Sequence, residues 1–302
     1  MYINPPIEYN TPVYRPPSEG KSLLFQVTIG CSNNKCTYCD MYRSKKYRER
    51  TFDEVFKDIQ KASKYYLSNG FAPEKIFLCD GDALGASMKL LTQTLDAINT
   101  FFPNIKRVGV YATAQNILEK SEAELQLLAS KKLTIAYLGL ESGDDKILHM
   151  IVKGNSAQEM TEASLKIKQT GFQLSTIAML GVGGQKLSEQ HIENTAKILT
   201  QTCPDYFSFL TTFAVPGTPY HKMVERGLIT PLTSKELFTE MYQIIKRADF
   251  SLNSVEFRAN HISNMYPLGG KLPEDKTLIL ATLENWISEM PEGVYPPTPS
   301  QM

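Results

Sequence analysis

Leu23-Leu24-Phe25-Gln26-Val27-Thr28-Ile29-Gly30-Cys31-Ser32-Asn33-Asn34-Lys35-Cys36-Thr37-Tyr38-Cys39 is the stretch on which the reading of this chain turns. Its apolar, β-branched start predicts a strand over 23–29, and three cysteines follow in the next few positions. Thiolates packed this closely suit a soft metal centre. Iron–sulfur clusters usually take four cysteines, yet only Cys31, Cys36 and Cys39 are local here. A cubane held by three thiolates leaves one iron with an open coordination position. That asymmetry points to chemistry on a bound molecule rather than to electron storage.

Other readings of the cysteines compete. Five cysteines in 302 residues, with no secretory pattern in Met1-Tyr2-Ile3-Asn4-Pro5-Pro6, argue against a disulfide scaffold. A structural zinc site wants a fourth soft ligand, usually from a second paired knuckle. Cys79 and Cys203 stand alone in apolar stretches, and His149, His191, His221 and His261 are scattered singly. Inert buried thiols remain the bland alternative. The rest of the composition is quiet: 42% hydrophobic residues fill a sizeable core, and Lys+Arg balance Asp+Glu at 32 each. No global field draws in nucleic acid. No apolar run approaches the roughly 20 residues that cross a bilayer, so no membrane is expected and a cytoplasmic location follows.

Outward from the cysteines the chain alternates strand-like and helix-like segments. Strands are predicted at 23–29, 75–79, 107–111, 133–140, 173–180 and 206–213, with a seventh candidate at 254–258. Helices between them carry start signals: Thr51/Glu54, Ser121/Glu124, Ser156/Glu159 and Thr233/Glu236 have the spacing of capping boxes. A repeat of roughly 30 to 40 residues per strand–helix unit implies βαβ units and a parallel sheet. Six strands fall short of a closed eight-stranded barrel, and the glycine-rich phosphate turn of a doubly wound fold is absent after the first strand. The expectation is α/β: a partial (β/α)6 TIM-type barrel, open on one side, with short N- and C-terminal extensions. Its segments are an extended arm over 1–20, the barrel over 21–250, a strand and helix packed on it over 251–290, and a flexible tail over 291–302. Cys31, Asp80, Glu141, Gly181 and Pro216 each follow a predicted strand, where parallel α/β folds carry their sites.

The cysteine motif, strand order and later motifs together resemble the radical S-adenosylmethionine (radical SAM) superfamily, and a bacterial group within it whose motif has this longer spacing. The commonest signature has three residues between its first two cysteines; this chain has four, then two. The resemblance runs from Tyr14 to Lys276. It implies that Cys31, Cys36 and Cys39 hold a [4Fe–4S] cluster whose fourth iron is chelated by S-adenosylmethionine. Tyr38 matches an aromatic position near the adenine. Asp80-Gly81-Asp82 sits where the family has a glycine-glycine-glutamate turn for the methionyl ammonium, an inexact match that keeps a carboxylate beside exposed backbone. Gly139-Leu140-Glu141-Ser142-Gly143 resembles the ribose motif, with Glu141 and Ser142 as hydroxyl partners; capping of the next helix is the plainer role for Glu141. Gly181 and Gly183 fall in the stretch that lies along the adenine, and Val215 in the turn that closes that pocket.

Lys153, and Arg258, Asn260 and His261 beyond the seventh predicted strand, are the candidate substrate contacts. The implied activity is reductive cleavage of S-adenosylmethionine to a 5′-deoxyadenosyl radical, which takes hydrogen from a small-molecule substrate. A flavodoxin- or ferredoxin-type donor supplies the electron. A radical enzyme acting on tRNA is the alternative, though nucleic acid is not the expected partner because no added RNA-binding domain is visible. A metal-binding interaction module without catalysis is the alternative of another class.

Overall fold

The computed structural model describes residues 5–298; the outer ends of the expected arm and tail, residues 1–4 and 299–302, lie outside it. Two compact units divide the chain. The first comprises Met1–Asn34, Met41–Leu138 and Lys166–Gln173, and the second Lys35–Asp40, Gly139–Leu165 and Leu174–Met302.

The first unit carries strands β1 (Leu23–Gln26), β2 (Lys75–Cys79), β3 (Arg107–Ala112) and most of β4 (Leu133–Glu141), which leaves it at Leu138. β1 pairs β2, β2 pairs β3 and β3 pairs β4, all parallel. Ile76, Phe77, Leu78 and Cys79 are all fully buried, as expected of a parallel strand covered on both faces. Helices α1 (Phe52–Ser68), α2 (Met88–Phe101), α3 (Ala114–Glu119) and α4 (Glu122–Ser130) follow the strands. In α1, Val55, Ile59 and Ala62 recur at helical spacing and are fully buried. The Thr51/Glu54 and Ser121/Glu124 capping boxes form as the spacing implies. Thr28–Ile29 turns away from β1 and pairs antiparallel with Arg48–Glu49. The expected strand 23–29 is therefore two pieces, and residues 31–47 between the ribbon strands contain no helix or strand.

The second unit holds the end of β4, then β5 (Gln173–Leu180, its first residue in the other unit), β6 (Tyr206–Thr211), β7 (Val255–Arg258) and β8 (Gly269–Leu272). β5–β6 and β6–β7 are parallel, whereas β8 runs antiparallel to β7. Its helices are α5 (Asp145–Met150), α6 (Ala157–Gln169, ending in the first unit), α7 (Gly184–Thr202), α8 (Pro219–Glu225), α9 (Ser234–Arg247) and α10 (Lys276–Glu289). Phe207, Phe209 and Phe257, all fully buried, pack ring to ring with centroids 4.6 to 6.0 Å apart. Ser156/Glu159 and Thr233/Glu236 cap their helices as expected.

Hydrogen-bonded strands follow one another in chain order from β1 to β8, and among the described residues those two end strands do not pair with each other. The sheet is mostly parallel and unclosed, the partial-barrel class expected. It has eight strands rather than six, because the seventh candidate joins it and the glycine-rich β8 adds itself to the edge.

Candidate cofactor site at the strand ends

In the first unit the site begins where β1 gives way to the cysteine loop. Gly30 takes a left-handed φ of 80°, which glycine adopts without strain. Gly81 is pressed against the loop: a Cβ there would stand 2.8 Å from Cys31 Cβ and from the Tyr42 ring. Only glycine fits. Gly81 N–H donates to Gly30 O at 3.1 Å. Asn34, the position around which the longer cysteine spacing turns, is left-handed at φ 39°. Its amide donates to the carbonyls of Tyr42 (3.0 Å) and Lys45 (3.3 Å), the local bonding that lets Asn hold this conformation.

Asp80 is fully buried and left-handed at φ 30°. Its carboxylate accepts from Gln26 Nε2 (3.0 Å), Gly30 N (2.7 Å) and Lys45 Nζ (2.9 Å). Lys45 also donates to the carbonyls of Asn10 and Pro12, each at 2.6 Å. Asp82, also fully buried, accepts from Ser32 Oγ and Asn116 Nδ2. Burial, with Asp82 beside it, pushes the Tyr47 phenol up to about 12.

In the second unit Tyr38 lies between Thr37 and Cys39, packed against a cluster of Ile147, Leu148, Ile151, Met179 and Val182. Burial and the neighbouring Glu141 carboxylate hold its phenol well above the usual range, so Tyr38 keeps its proton beside that acid. Glu141, at φ 60°, ends β4. Its Oε1 accepts from Lys153 Nζ at 2.8 Å, and a Cβ on Gly139 would lie 2.2 Å from that oxygen. The missing side chain of Gly139 is the seat of the Glu141–Lys153 pair. Capping of α5 falls to Asp144, whose carboxylate accepts from Lys146 N and Ile147 N, so the plainer role weighed for Glu141 is excluded.

Backbone bonds tie the other turns of this unit together. Thr37 N–H donates to Ile151 O (2.8 Å), and Tyr220 N–H donates to Thr37 O (3.1 Å). The Tyr220 hydroxyl lies 3.2 Å from Gly181 O and 3.1 Å from Val182 O. Gly181 is left-handed at φ 75°, while Gly183 is the N-cap of α7 at φ −84°. Val215 O accepts from Thr218 N (3.1 Å) and Thr218 Oγ1 (2.7 Å), which closes the turn after β6. A cavity of about 100 Å³ opens beside these turns, lined by Gly181, Thr212, Phe213, Ala214 and Tyr220 among others. Thr212 Oγ1 is buried and has no hydrogen-bond partner among the described residues.

Not every expected contact is gathered here. Arg258 is exposed and turns back to Glu256 on its own strand (2.7 Å). Asn260 is exposed. His261 Nδ1 accepts from Ser263 N (3.1 Å) in a turn whose Ser263 Oγ and Asn264 bond the end of β6. The histidine shapes that turn. Lys45, Asn116 and Tyr220 were not singled out from the sequence. Lys45 is hidden in a basic run from Arg43 to Arg50, and Tyr220 lies one residue past the proline-rich turn.

The thiols separate into two kinds. Cys31, Cys36 and Cys39 are half-buried on irregular backbone, whereas Cys79 and Cys203 are buried. Burial pushes the Cys79 thiol up to about 12, the opposite of what a metal ligand needs. Among the described residues no three His, Cys, Asp or Glu side chains stand together as a metal-ion group. Thiols bind metal only as thiolates, and three anionic sulfurs have no reason to converge before a metal neutralises them. The donor chemistry of the loop trio fits a cluster; that of the buried pair does not.

A family model described as the radical SAM superfamily matches residues 25–199, more than half of the chain. The chain belongs to the radical SAM superfamily. Radical SAM enzymes use a [4Fe–4S] cluster with S-adenosylmethionine and need a reductant. Threonylcarbamoyladenosine tRNA methylthiotransferase MtaB of Rickettsia prowazekii is 23% identical over 256 residues, covering 83% of this chain and 58% of that protein. The tRNA-2-methylthio-N(6)-dimethylallyladenosine synthase of Hahella chejuensis is 24% identical over 226 residues, covering 71% and 48%. The radical SAM chain spans about half the length of the curated relatives it matches. Those names specify tRNA, so the expectation that nucleic acid is not a partner is not supported. Among solved structures, methylornithine synthase (PylB) shares the fold at a TM-score of 0.52 and 14% identity, covering 92% of this chain and 83% of that one. The radical SAM methyltransferase TsrM from Kitasatospora setae does so at 0.55 and 15%, covering 69% and 39%. No helix among the described residues is long and apolar enough to cross a membrane.

Proposed function

We propose that Cys31, Cys36 and Cys39 hold the [4Fe–4S] cluster and that S-adenosylmethionine is bound by the turns after β2, β4, β5 and β6. The observation that carries this reading is that Tyr38, the neighbour of Cys39, lies beside the Glu141 carboxylate that Lys153 holds at 2.8 Å. The residue next to the last cysteine thus adjoins the acid assigned to the ribose. The bound group supplies, on one-electron reduction, a 5′-deoxyadenosyl radical that takes a hydrogen atom from substrate.

The residues of this chain bind, orient and exclude water. Glu141 accepts from the ribose hydroxyls, with Lys153 steering the carboxylate and the protonated Tyr38 beside it. Gly181 and the Thr212–Ala214 segment border a cavity in which the unpartnered Thr212 hydroxyl meets a polar edge of a flat heterocycle. Asp82 and the Gly81 backbone are assigned to the methionyl ammonium by their match to the family turn, and Asp80 braces that turn through Lys45. Arg258 and Asn260 are exposed, and Arg258 pairs with Glu256, so no substrate contact is assigned to them in this reading.

The substrate in this reading is a small molecule, and a flavodoxin- or ferredoxin-type protein delivers the electron. Modification of tRNA is the second reading, favoured by the names of the relatives. Both are tested on anaerobically reconstituted protein treated with dithionite and S-adenosylmethionine, followed by chromatography. Release of 5′-deoxyadenosine and methionine is expected. Methylthioadenosine instead would mean that the other carbon–sulfur bond breaks, and intact S-adenosylmethionine would overturn the reading. Transfer of label from S-adenosylmethionine to added tRNA would favour the second substrate class.

A further inference from the structure

Behind two of these turns lies a buried polar group that the scheme above does not use. His191 on α7 and Glu240 on α9 are 0% and 1% exposed. Glu240 Oε1 accepts from the backbone N–H of Gly181 at 2.6 Å, and its Oε2 from Ser188 Oγ at 2.5 Å. His191 Nε2 lies 3.7 Å from Glu240 Oε1. On its other side His191 Nδ1 lies 2.8 Å from Ser142 Oγ and 3.2 Å from Thr195 Oγ1. Thr195 Oγ1 in turn accepts from Gly143 N at 2.9 Å, and Ser142 Oγ accepts from Asp144 N at 3.1 Å.

The imidazole links the two turns. Ser142 Oγ receives the Asp144 N–H and exchanges a further hydrogen bond with His191 Nδ1. Nε2 faces Glu240 and has no hydrogen-bond partner among the described residues. Packing is equally tight. A Cβ on Gly143 would lie 2.2 Å from Asn194 O of α7, and Asn194 Nδ2 donates to Asp144 Oδ2 at 2.8 Å. The turn after β4 is thus bolted to α7, and the turn after β5 to α9.

We propose that His191 and Glu240 are positioning residues: one buried pair that sets the backbone of both the Ser142–Asp144 turn and the Gly181 turn for S-adenosylmethionine. The proposal rests on the cofactor assignment above. Neither residue touches the cofactor; each acts through the turn it holds.

Protonation of Glu240 is part of the device. Burial pushes its carboxyl up to about 7 and the His191 imidazole down to about 3. The titratable neighbours are His191 on α7, Glu236 on its own helix, and Tyr220 of α8, whose hydroxyl bonds the Gly181 carbonyl. Ionised Glu240 accepts at both oxygens. Protonated, it loses its charge, and the charge-assisted bond from the Gly181 N–H becomes an ordinary one, which slackens the hold on Gly181.

Hydrogen–deuterium exchange on the reconstituted full chain, with calorimetry of S-adenosylmethionine binding, tests the pair. Glu240→Ala should speed exchange by about tenfold in peptides over 139–146 and 178–186 only, and weaken binding by a similar factor with iron content unchanged. Glu240→Gln, which can still accept the Gly181 N–H, should recover most of the binding. It should also lose the tightening that wild type shows between about pH 6 and about pH 8. Ser188→Ala, a gentler loss of one bond to Glu240, serves if Glu240→Ala does not fold, and should loosen 178–186 alone. Unchanged exchange in both peptides, faster exchange spread evenly along the chain, or unchanged binding with loosened turns would each overturn the proposal. If wild type does not bind S-adenosylmethionine the cofactor assignment fails, while the exchange arm still decides whether the pair holds the two turns.

Discussion

Asp80 and Glu141 each end a strand in left-handed backbone, each beside a lysine, yet the two acids are built for different ends. Asp80 is enclosed: Gln26, Gly30 and Lys45 fill its oxygens, and Lys45 is itself consumed by Asn10 and Pro12 carbonyls. Glu141 rests in the gap left by Gly139, held by Lys153 with Tyr38 beside it, and its side chain is 8% exposed. The first arrangement fixes a loop. The second presents a carboxylate whose partners can be exchanged for ribose hydroxyls. Strained acid-bearing turns in one chain are thus not interchangeable markers of a site.

The largest effect should come from breaking the enclosed pair. Asp80→Ala leaves the Lys45 ammonium buried and unpaired, and about 3–5 kcal/mol of stability should be lost in urea unfolding. A loss below about 1 kcal/mol would mean that Asp80 is no brace. Glu141→Ala should cost less stability than this, because Lys153 keeps 12% of its side chain exposed where Lys45 keeps 3%. It removes a charge-assisted bond of about 1.5–3 kcal/mol from the cofactor, a roughly ten- to hundredfold loss of affinity by calorimetry. Wild-type affinity would make Glu141 a structural turn and erase the contrast.

The contrast sharpens with pH, because the second unit also holds a buried pair, and that one titrates. The raised carboxyl of Glu240 keeps its proton in the folded state, so its contribution to stability is present below about pH 4.5 and lost as pH rises through about 7. The depressed imidazole of His191 acts oppositely, with stability lost as pH falls below about 6.5. In wild type the two nearly cancel over the shared window. Glu240→Gln should expose the His191 slope and His191→Asn the Glu240 slope, read as unfolding free energy against pH. Parallel curves for all three proteins would contradict the pairing. The smallest effect belongs to Arg258→Ala: an exposed side chain paired to Glu256 should change stability by less than about 0.5 kcal/mol and leave S-adenosylmethionine binding untouched.

Much of the fold was legible in the sequence because its signals are local. Apolar β-branched runs and Ser/Thr-x-x-Glu caps place strands and helices within a residue or two of where they lie. What escaped is non-local. Thr28–Ile29 leaves the main sheet because its partner, Arg48–Glu49, lies across the cysteine loop. β8 contributes Gly269-Gly270-Lys271-Leu272, whose single apolar residue gives no strand period. At the site, the cysteines and the Glu141 turn were visible as motifs. Lys45, Asn116, His191 and Glu240 were not, since a buried polar residue declares itself only through partners distant in sequence.

The central claim is that the loop cysteines, and not the buried ones, carry the cluster. Iron and acid-labile sulfide in anaerobically reconstituted protein test it directly. Wild type, Cys79→Ala and Cys203→Ala should each hold about four irons and four sulfides per chain, and the triple replacement of Cys31, Cys36 and Cys39 by Ala should hold none. Stoichiometric zinc without sulfide in wild type, or an intact cluster in the triple variant, would contradict it.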